Sequence, residues 1–351
     1  MTDSQTAPDT SIDTSAAPGQ YKSSTRLRNL FIHPLTRALG ALALVVALGF
    51  IFHADGAFRQ WGTHRDMLRQ LSVYGILACG MTLVIISGGI DLAVGSVLAL
   101  GAVIFARLCI HWQWSAPTAI AATLGCGLAA GLVSGGLIAR FRIQAFIATL
   151  AMMVFARGLS KTLSGGQKIS TAVVQPDGVY KYVEAPPIFD LLNSRVFHDQ
   201  VAVVTLVFLV VLAITWVLLS KLRWGRYVYA VGGNEEASRL SGVPVGGTKL
   251  LCYGLSGLFA AIAGICQAAQ EVQGDPEAGV GYELTAIAMV VIGGTSLAGG
   301  RGGVGLMLVG ALTIGYLEKV LSINAVPEAT RLMLTGAIIV GAVLFQRTRR
   351  S

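Results

Sequence analysis

Ten stretches of this chain run without a single Asp, Glu, Lys or Arg, and each is mostly apolar: 38–54, 70–90, 92–106, 108–139, 143–156, 200–220, 250–270, 284–300, 302–317 and 332–346. A charge at the centre of a membrane-inserted helix costs ~2.5–3.5 kcal/mol, so such runs mark where a bilayer can be crossed. Each crossing needs ~20 residues, and long side chains at the ends of a run can reach back to water. Only 13% of the residues are charged, against the ~25% of a soluble domain, and the mean hydropathy is +0.68. The chain reads as an all-α polytopic membrane protein with about ten transmembrane helices.

The net charge of +8 does not point to nucleic acid. No Lys/Arg stretch interleaves with aromatics on a water-facing surface, as a nucleic-acid patch requires. The basic residues lie between apolar runs instead, where they set topology. With the N-terminus inside, the inner loops collect Arg140 and Arg142, then Lys221, Arg223, Arg226, Arg239 and Lys249, then Arg301, and finally Arg347, Arg349 and Arg350. Both termini are therefore expected in the cytosol. Residues 1–34 read as a polar, then basic, cytosolic segment without the periodicity to fold. Residues 35–347 read as one transmembrane domain, and 348–351 as a basic cytosolic tail.

Two loops are long: an outer one at 164–198 and an inner one at 221–249. Within the inner loop, Asn234 is a good helix N-cap, Glu235 and Glu236 fill a first turn, Ala237, Ser238, Arg239, Leu240 and Ser241 continue it, and Gly242 ends it. A short polar helix between two spans has little to bury. It is either an ordinary turn or a docking element for a cytosolic partner.

An internal echo follows two inward-running spans. Gly88–Gly95 and Gly293–Gly300 both read GGxxLAxG, which suggests a duplication in parallel orientation, a transporter feature. Paired glycines break helices, and irregular backbone at membrane depth is tolerated inside protein or beside a water-filled path. The alternative is two tight turns. Asp91, in the first echo, is the one acid between Asp66 and Asp177. It reads either as a helix cap or as a residue of the path.

Leu163–Gln167 spells LSGGQ, a signature of ATP-binding cassette ATPases. No GxxxxGK[ST] phosphate loop accompanies it, so it reads as a chance match. The five histidines are dispersed and form no metal or acid–base cluster. The five cysteines, all in or beside apolar runs and without a CxxC pair, read as small buried hydrophobes. No catalytic site and no metal site is expected.

Four blocks, Gly80–Ser96, Gln144–Met153, Gly225–Val243 and Gly281–Gly302, resemble the membrane permease of ribose-type ABC sugar importers. The resemblance runs in order from about residue 35 to 347, and sister permeases for arabinose, xylose, galactose and galactofuranose share the same blocks. It implies a fold like that of the vitamin B12 importer permease, in a bacterial cytoplasmic (inner) membrane. It implies a second permease copy or sister permease, and a cytosolic ATPase, usually with two cassettes, that binds the ATP and Mg. It implies a periplasmic sugar-binding protein, and no cofactor in this chain. Gly232, Gly233 and Asn234 to Gly242 would form the coupling helix on which the ATPase acts.

A neutral sugar needs no counter-charge, so a path of small and hydroxyl side chains suffices. Ser87, Gly88, Gly89, Asp91, Gly293, Gly294, Thr295 and Ser296 are the lining candidates. Phe146 is another, although packing in the core is its favoured reading. On the outer face, Arg59, Arg65 and Arg69 cluster, as do Glu271, Asp275, Glu277 and Glu283. They read either as solvated interfacial charge or as docking residues for the binding protein, where charge sets on-rate and register.

Overall fold

A computed structural model describes residues 34–174 and 179–347; the expected N-terminal segment up to residue 33, residues 175–178 of the outer loop and the tail at 348–351 lie outside the described residues. The chain folds as a helical bundle. In order, its helices are α1 (Pro34–Ile51), α2 (Trp61–Ile86), α3 (Val94–Ala106), α4 (Ala116–Phe141), α5 (Ala145–Ser164), α6 (Pro187–Asn193), α7 (Val203–Ser220), α8 (Arg223–Gly233), α9 (Glu235–Leu240), α10 (Val245–Glu271), α11 (Tyr282–Ile292), α12 (Val304–Ile323) and α13 (Glu328–Arg347). Among the described residues, seven helices are long and apolar enough to cross a membrane: α2, α3 with its extension to His111, α4, α5, α7, α10 and α12. α1 and α11 are shorter apolar helices.

Some helices run past the charge-free stretches where a charge finds a partner within the chain, and α11 stops short of its stretch, at Ile292, where the glycine pair breaks it. α3 continues past the third run, through Arg107–His111, as a π-helical turn. The Arg107 guanidinium lies 5.4 Å from the Trp112 ring and donates to the carbonyl of Leu163. α5 runs past the 143–156 stretch to Ser164, where the outer loop was expected to begin; Arg157 donates to the carbonyls of Pro276 and Ala278, the latter at 2.8 Å, and Lys161 pairs with Glu277 at 2.6 Å. The LSGGQ stretch is the end of this helix: Gly165 and Gly166 take φ of +66° and +75°, and the Gly166 N–H closes on the Lys161 carbonyl at 2.8 Å, a glycine C-cap.

The outer loop carries two short hairpins, β1 (Ala172–Val174) with β2 (Tyr180–Tyr182) and β3 (Arg195–Val196) with β4 (Val201–Ala202), and α6 lies between them. The inner loop is almost wholly helical rather than a loop with one turn. α8 precedes α9 and buries Gly225, Val228 and Val231 along one face, the three-residue spacing of an amphipathic helix.

α2, α3 and α10 form the centre: α2 is buried at almost every position from Leu71 to Ile86. α10 packs on α4 through a glycine stripe, Gly127, Gly131 and Gly135, three residues intervening each time. A Cβ on Gly131 would sit 2.2 Å from the Tyr253 carbonyl oxygen, and one on Gly257 equally close to that of Gly127. Small residues let membrane helices approach backbone to backbone, where dispersion rather than hydrophobicity drives association. Cys79, Cys109, Cys252 and Cys266 are buried free thiols in this packing, and Cys126 is half-buried.

Candidate functional site

The two echo turns meet at one end of the bundle. α2 ends at Ile86 and α11 at Ile292, and in each case a glycine pair follows. The Gly300 N–H donates to the Ile86 carbonyl at 2.9 Å, joining the second turn to the first. The C-terminal end of α8 lies against both. A Cβ on Gly232 would fall 1.7 Å from the Ile86 oxygen and 2.7 Å from the Gly300 nitrogen, and one on Gly299 would fall 3.0 Å from the Gly88 Cα. Gly299 and Gly300 also hold φ of +83° and +68°, which glycine adopts without steric cost. Three backbone segments therefore close on one point without side chains between them. The Tyr229 hydroxyl adds a bond to the Gly302 carbonyl at 3.0 Å.

α9 projects from this junction. The Asn234 side chain caps it by accepting from the Ala237 N–H at 2.9 Å, Ser238 donates back to the Asn234 carbonyl, and Gly242 leaves the helix at φ +77°. Glu235 accepts from Arg239 at 3.0 Å and from Lys249 of α10 at 2.6 Å, so α9 is tied to the bundle. Glu236, Ala237, Arg239, Leu240 and Ser241 face outward, Leu240 being 82% exposed.

The path candidates are placed unequally. Ser87, Gly88 and Gly89 border a cavity of about 430 Å³ between the first turn, the α4–α5 connection and α9; Arg142, Gln144, Lys249 and Tyr253 line it too. Asp91 is buried and satisfied: its carboxylate accepts from the Ala93 N–H at 3.0 Å and the Ser256 hydroxyl at 2.7 Å. It braces the start of α3 against α10. Thr295 is fully buried, with Gly302 against its side chain. Gly293 packs against the Leu306 backbone, and Gly294 turns the chain at φ +105°. The Ser296 hydroxyl accepts from the Ala298 N–H within its own turn. Phe146, favoured as a core residue, is instead 54% exposed on the outward face of α5 with Ile147, Val154 and Phe155. A helix facing lipid or another subunit needs no polar side, so its apolar residues do not all point inward.

At the opposite end the charged residues mostly pair within the chain. Arg65 donates to the Asp199 carbonyl at 2.5 Å, Arg69 to the Asn193 side chain, and Arg195 to Asp66 at 2.6 Å. Asp275 holds Lys168 at 3.0 Å, and Glu277 holds Lys161. The Asp275 carboxylate raises the Lys168 pKa, first by its hydrogen bond and then by its charge. Glu271 accepts from Gln267 and Gln273, and Glu283 is half-buried beside Gly95. Arg59 is exposed. These pairs fasten the outer loop to α2 and to the α10–α11 connection. They leave fewer free charges for a docking partner than the sequence clusters suggest.

A second cavity, about 210 Å³, opens at this same end and includes Gln70, Tyr74, Tyr282 and Glu318. None of these was singled out in the sequence. The available signal was a pair of polar side chains at i and i+4, Gln70 and Tyr74, inside an otherwise apolar run.

Residues 65–343 match the family model described as branched-chain amino acid transport system / permease component. The ribose import permease protein of Escherichia coli is 38% identical over 309 residues, covering 88% of this chain and 93% of that protein. The ribose import permease protein of Bacillus subtilis is 37% identical over 313 residues, covering 89% and 92%. The xylose transport system permease protein of Escherichia coli is 34% identical over 352 aligned positions, covering 86% and 89%. No solved structure matches the chain.

Proposed function

We propose a function from one premise: this chain belongs to the family of permease components of branched-chain amino acid transport systems. It is the multi-pass membrane subunit of an ABC-type importer, and its work is passage rather than catalysis. Its proposed cargo is a monosaccharide of the ribose or xylose kind, as in the relatives that align along most of its length. A neutral sugar crosses without counter-charges, and its site must hold it weakly enough to let go.

The observation that carries the mechanism is the junction of Gly232 with Ile86 and Gly300. α9 is capped, outward-facing and tied to α10 by Lys249, so it can move as one piece with a protein bound to it. We read α9 as the coupling helix and that protein as the ATPase, a double cassette that binds the ATP and Mg. Closing of the cassettes would push α9. Through α8 the push would reach both glycine turns, at the ends of α2 and α11, and rock the bundle so that the path changes side. A second permease copy or sister permease completes the path, and a periplasmic binding protein feeds it.

In this reading α1, α11 and α13 join the seven long helices to make ten crossings, on the plan of the vitamin B12 importer permease. Both termini lie in the cytosol beneath a bacterial inner membrane. α11, with 11 residues, rises only ~16 Å, about half the ~30 Å hydrocarbon core. The turns at 293–303 would complete its crossing.

The test is Leu240→Asp, at an exposed apolar side chain that supports nothing in this chain. The variant should reach the membrane folded but fail to co-purify with its ATPase, and uptake should vanish; undiminished co-purification would remove α9 from the coupling role. A branched-chain amino acid is the second reading of the cargo, favoured by the family's description. Uptake of ribose, xylose and leucine by the wild-type complex separates the two.

A further inference from the structure

The end of the bundle opposite α9 holds polar side chains that its packing does not call for. Glutamine, tyrosine and glutamate cost free energy within membrane helices unless they meet partners or water, and they default there to functional candidates. Here they converge from five helices. Gln70 and Tyr74 come from α2, Gln267 and Gln270 from α10, Tyr282 from α11, Glu318 from α12 and Arg331 from α13, all bordering the cavity of about 210 Å³. The rings of Tyr74 and Tyr282 lie 4.4 Å apart, tilted by 43° and packed on each other, and the pair borders the cavity. The Gln270 side-chain amide donates to the Arg69 carbonyl at 3.3 Å, and that of Gln267 donates to Glu271. Each amide oxygen is left to accept from a hydroxyl.

We infer that this cavity is a receiving site for one monosaccharide, with Tyr74 and Tyr282 against the sugar's C–H face and Gln70, Gln267, Gln270 and Glu318 on its hydroxyls. The inference rests on the monosaccharide reading of the cargo. A sugar ring offers apolar C–H faces and a rim of neighbouring hydroxyls, each both donor and acceptor. Aromatic rings suit the first, and planar amide and carboxylate groups suit the second. The one acid and the one base on the lining, Glu318 and Arg331, cancel in formal charge, which fits a neutral solute better than an ion. The cavity is smaller than the ~300–1,000 Å³ of drug-sized sites, as a single small sugar requires. Its position completes the case. Gln270 is bonded to the backbone of Arg69, and the side chain of Arg69 holds Asn193 of the outer loop. The cavity therefore lies just inside the charged end where a binding protein would release its sugar.

The test uses the complete importer in proteoliposomes: permease, ATPase and binding protein, with ribose and xylose as probes. Gln70→Ala removes an exposed side chain and leaves the fold intact; Tyr74→Leu removes the ring at similar bulk. Uptake per ATP hydrolysed should fall about tenfold in each, equivalent to 1.4 kcal/mol. The ratio of ribose to xylose uptake should also change, which a merely loosened helix would not produce. Saturation-transfer NMR on the wild-type permease–ATPase complex, without binding protein, should show contact between the sugar C–H protons and aromatic protein protons, and a weaker contact in Tyr74→Leu. The inference is overturned if both variants match the wild type in yield per ATP and in sugar ratio. A wild-type complex that imports leucine and neither sugar removes the cargo reading itself, a failure visible without any variant.

Discussion

Replacing Gly232 with alanine places a methyl carbon 1.7 Å from the carbonyl oxygen of Ile86 and 2.7 Å from the backbone nitrogen of Gly300. Real Cβ atoms essentially never come nearer than 3.0 Å to another heavy atom, so the backbones must part by at least about 1.3 Å. The clash falls on the same oxygen that accepts from the Gly300 N–H. Losing that bond costs ~1 kcal/mol, and overpacking adds ~1–3 kcal/mol. Backbone cannot rotate away as a side chain can, so the strain is relieved by retreat of α8, which carries α9 with it. The outward face of α9 is untouched. The complex should therefore assemble, while the stroke of α9 no longer lands on the two turns. Uptake and ATP hydrolysis measured on the same proteoliposomes should show the sugar moved per ATP falling by an order of magnitude or more. Gly233→Ala provides the contrast, since a Cβ there meets nothing within 4 Å, and it should lose far less. If Gly232→Ala transports with wild-type yield, the glycine junction does not transmit the stroke. If it loses the ATPase altogether, the junction serves docking instead.

Two further changes probe the scaffold. Ser256→Ala deletes the donor to the buried Asp91 carboxylate and should cost ~1.5–3 kcal/mol, the range for hydrogen bonds to charged groups. A thermal-shift measurement on the purified chain should show a clear fall, and an unchanged midpoint would mean that Asp91 is not held as described. Gly131→Val drives a branched side chain into the Tyr253 carbonyl, 2.2 Å from the Cβ position, and should part α4 from α10. Little or no folded protein should be recovered in detergent, and a normal yield would show that the two helices do not touch there.

Much of the architecture was legible because the bilayer makes charge expensive. The charge-free runs located the long helices, and Asn234 and Gly242 marked the ends of α9 by local chemistry alone. What the runs did not show was how the charges at their ends are received. Arg107, Arg157 and Lys161 continue their helices because carbonyls and a carboxylate from distant segments receive them, and such partners are invisible along the chain. Arg65 and Arg69 likewise meet Asp199 and Asn193, more than a hundred residues further along the chain. α8 was missed because its three buried residues look like loop composition until the bundle supplies something to bury against. The outer cavity escaped notice because Gln and Tyr carry no formal charge, so the runs containing them stayed unbroken. Glu318 escaped because it lies one residue past the end of the 302–317 run. The echo of the two glycine turns was legible, but their contact was not: that depends on where Gly300 and Ile86 meet in space.

The decisive experiment places the purified chain in liposomes, first alone and then with its ATPase and binding protein, and follows radiolabelled ribose across the membrane. Accumulation against a gradient should appear only when both helper proteins and ATP are present. Accumulation by the chain alone, in the absence of nucleotide, would contradict the account at its root.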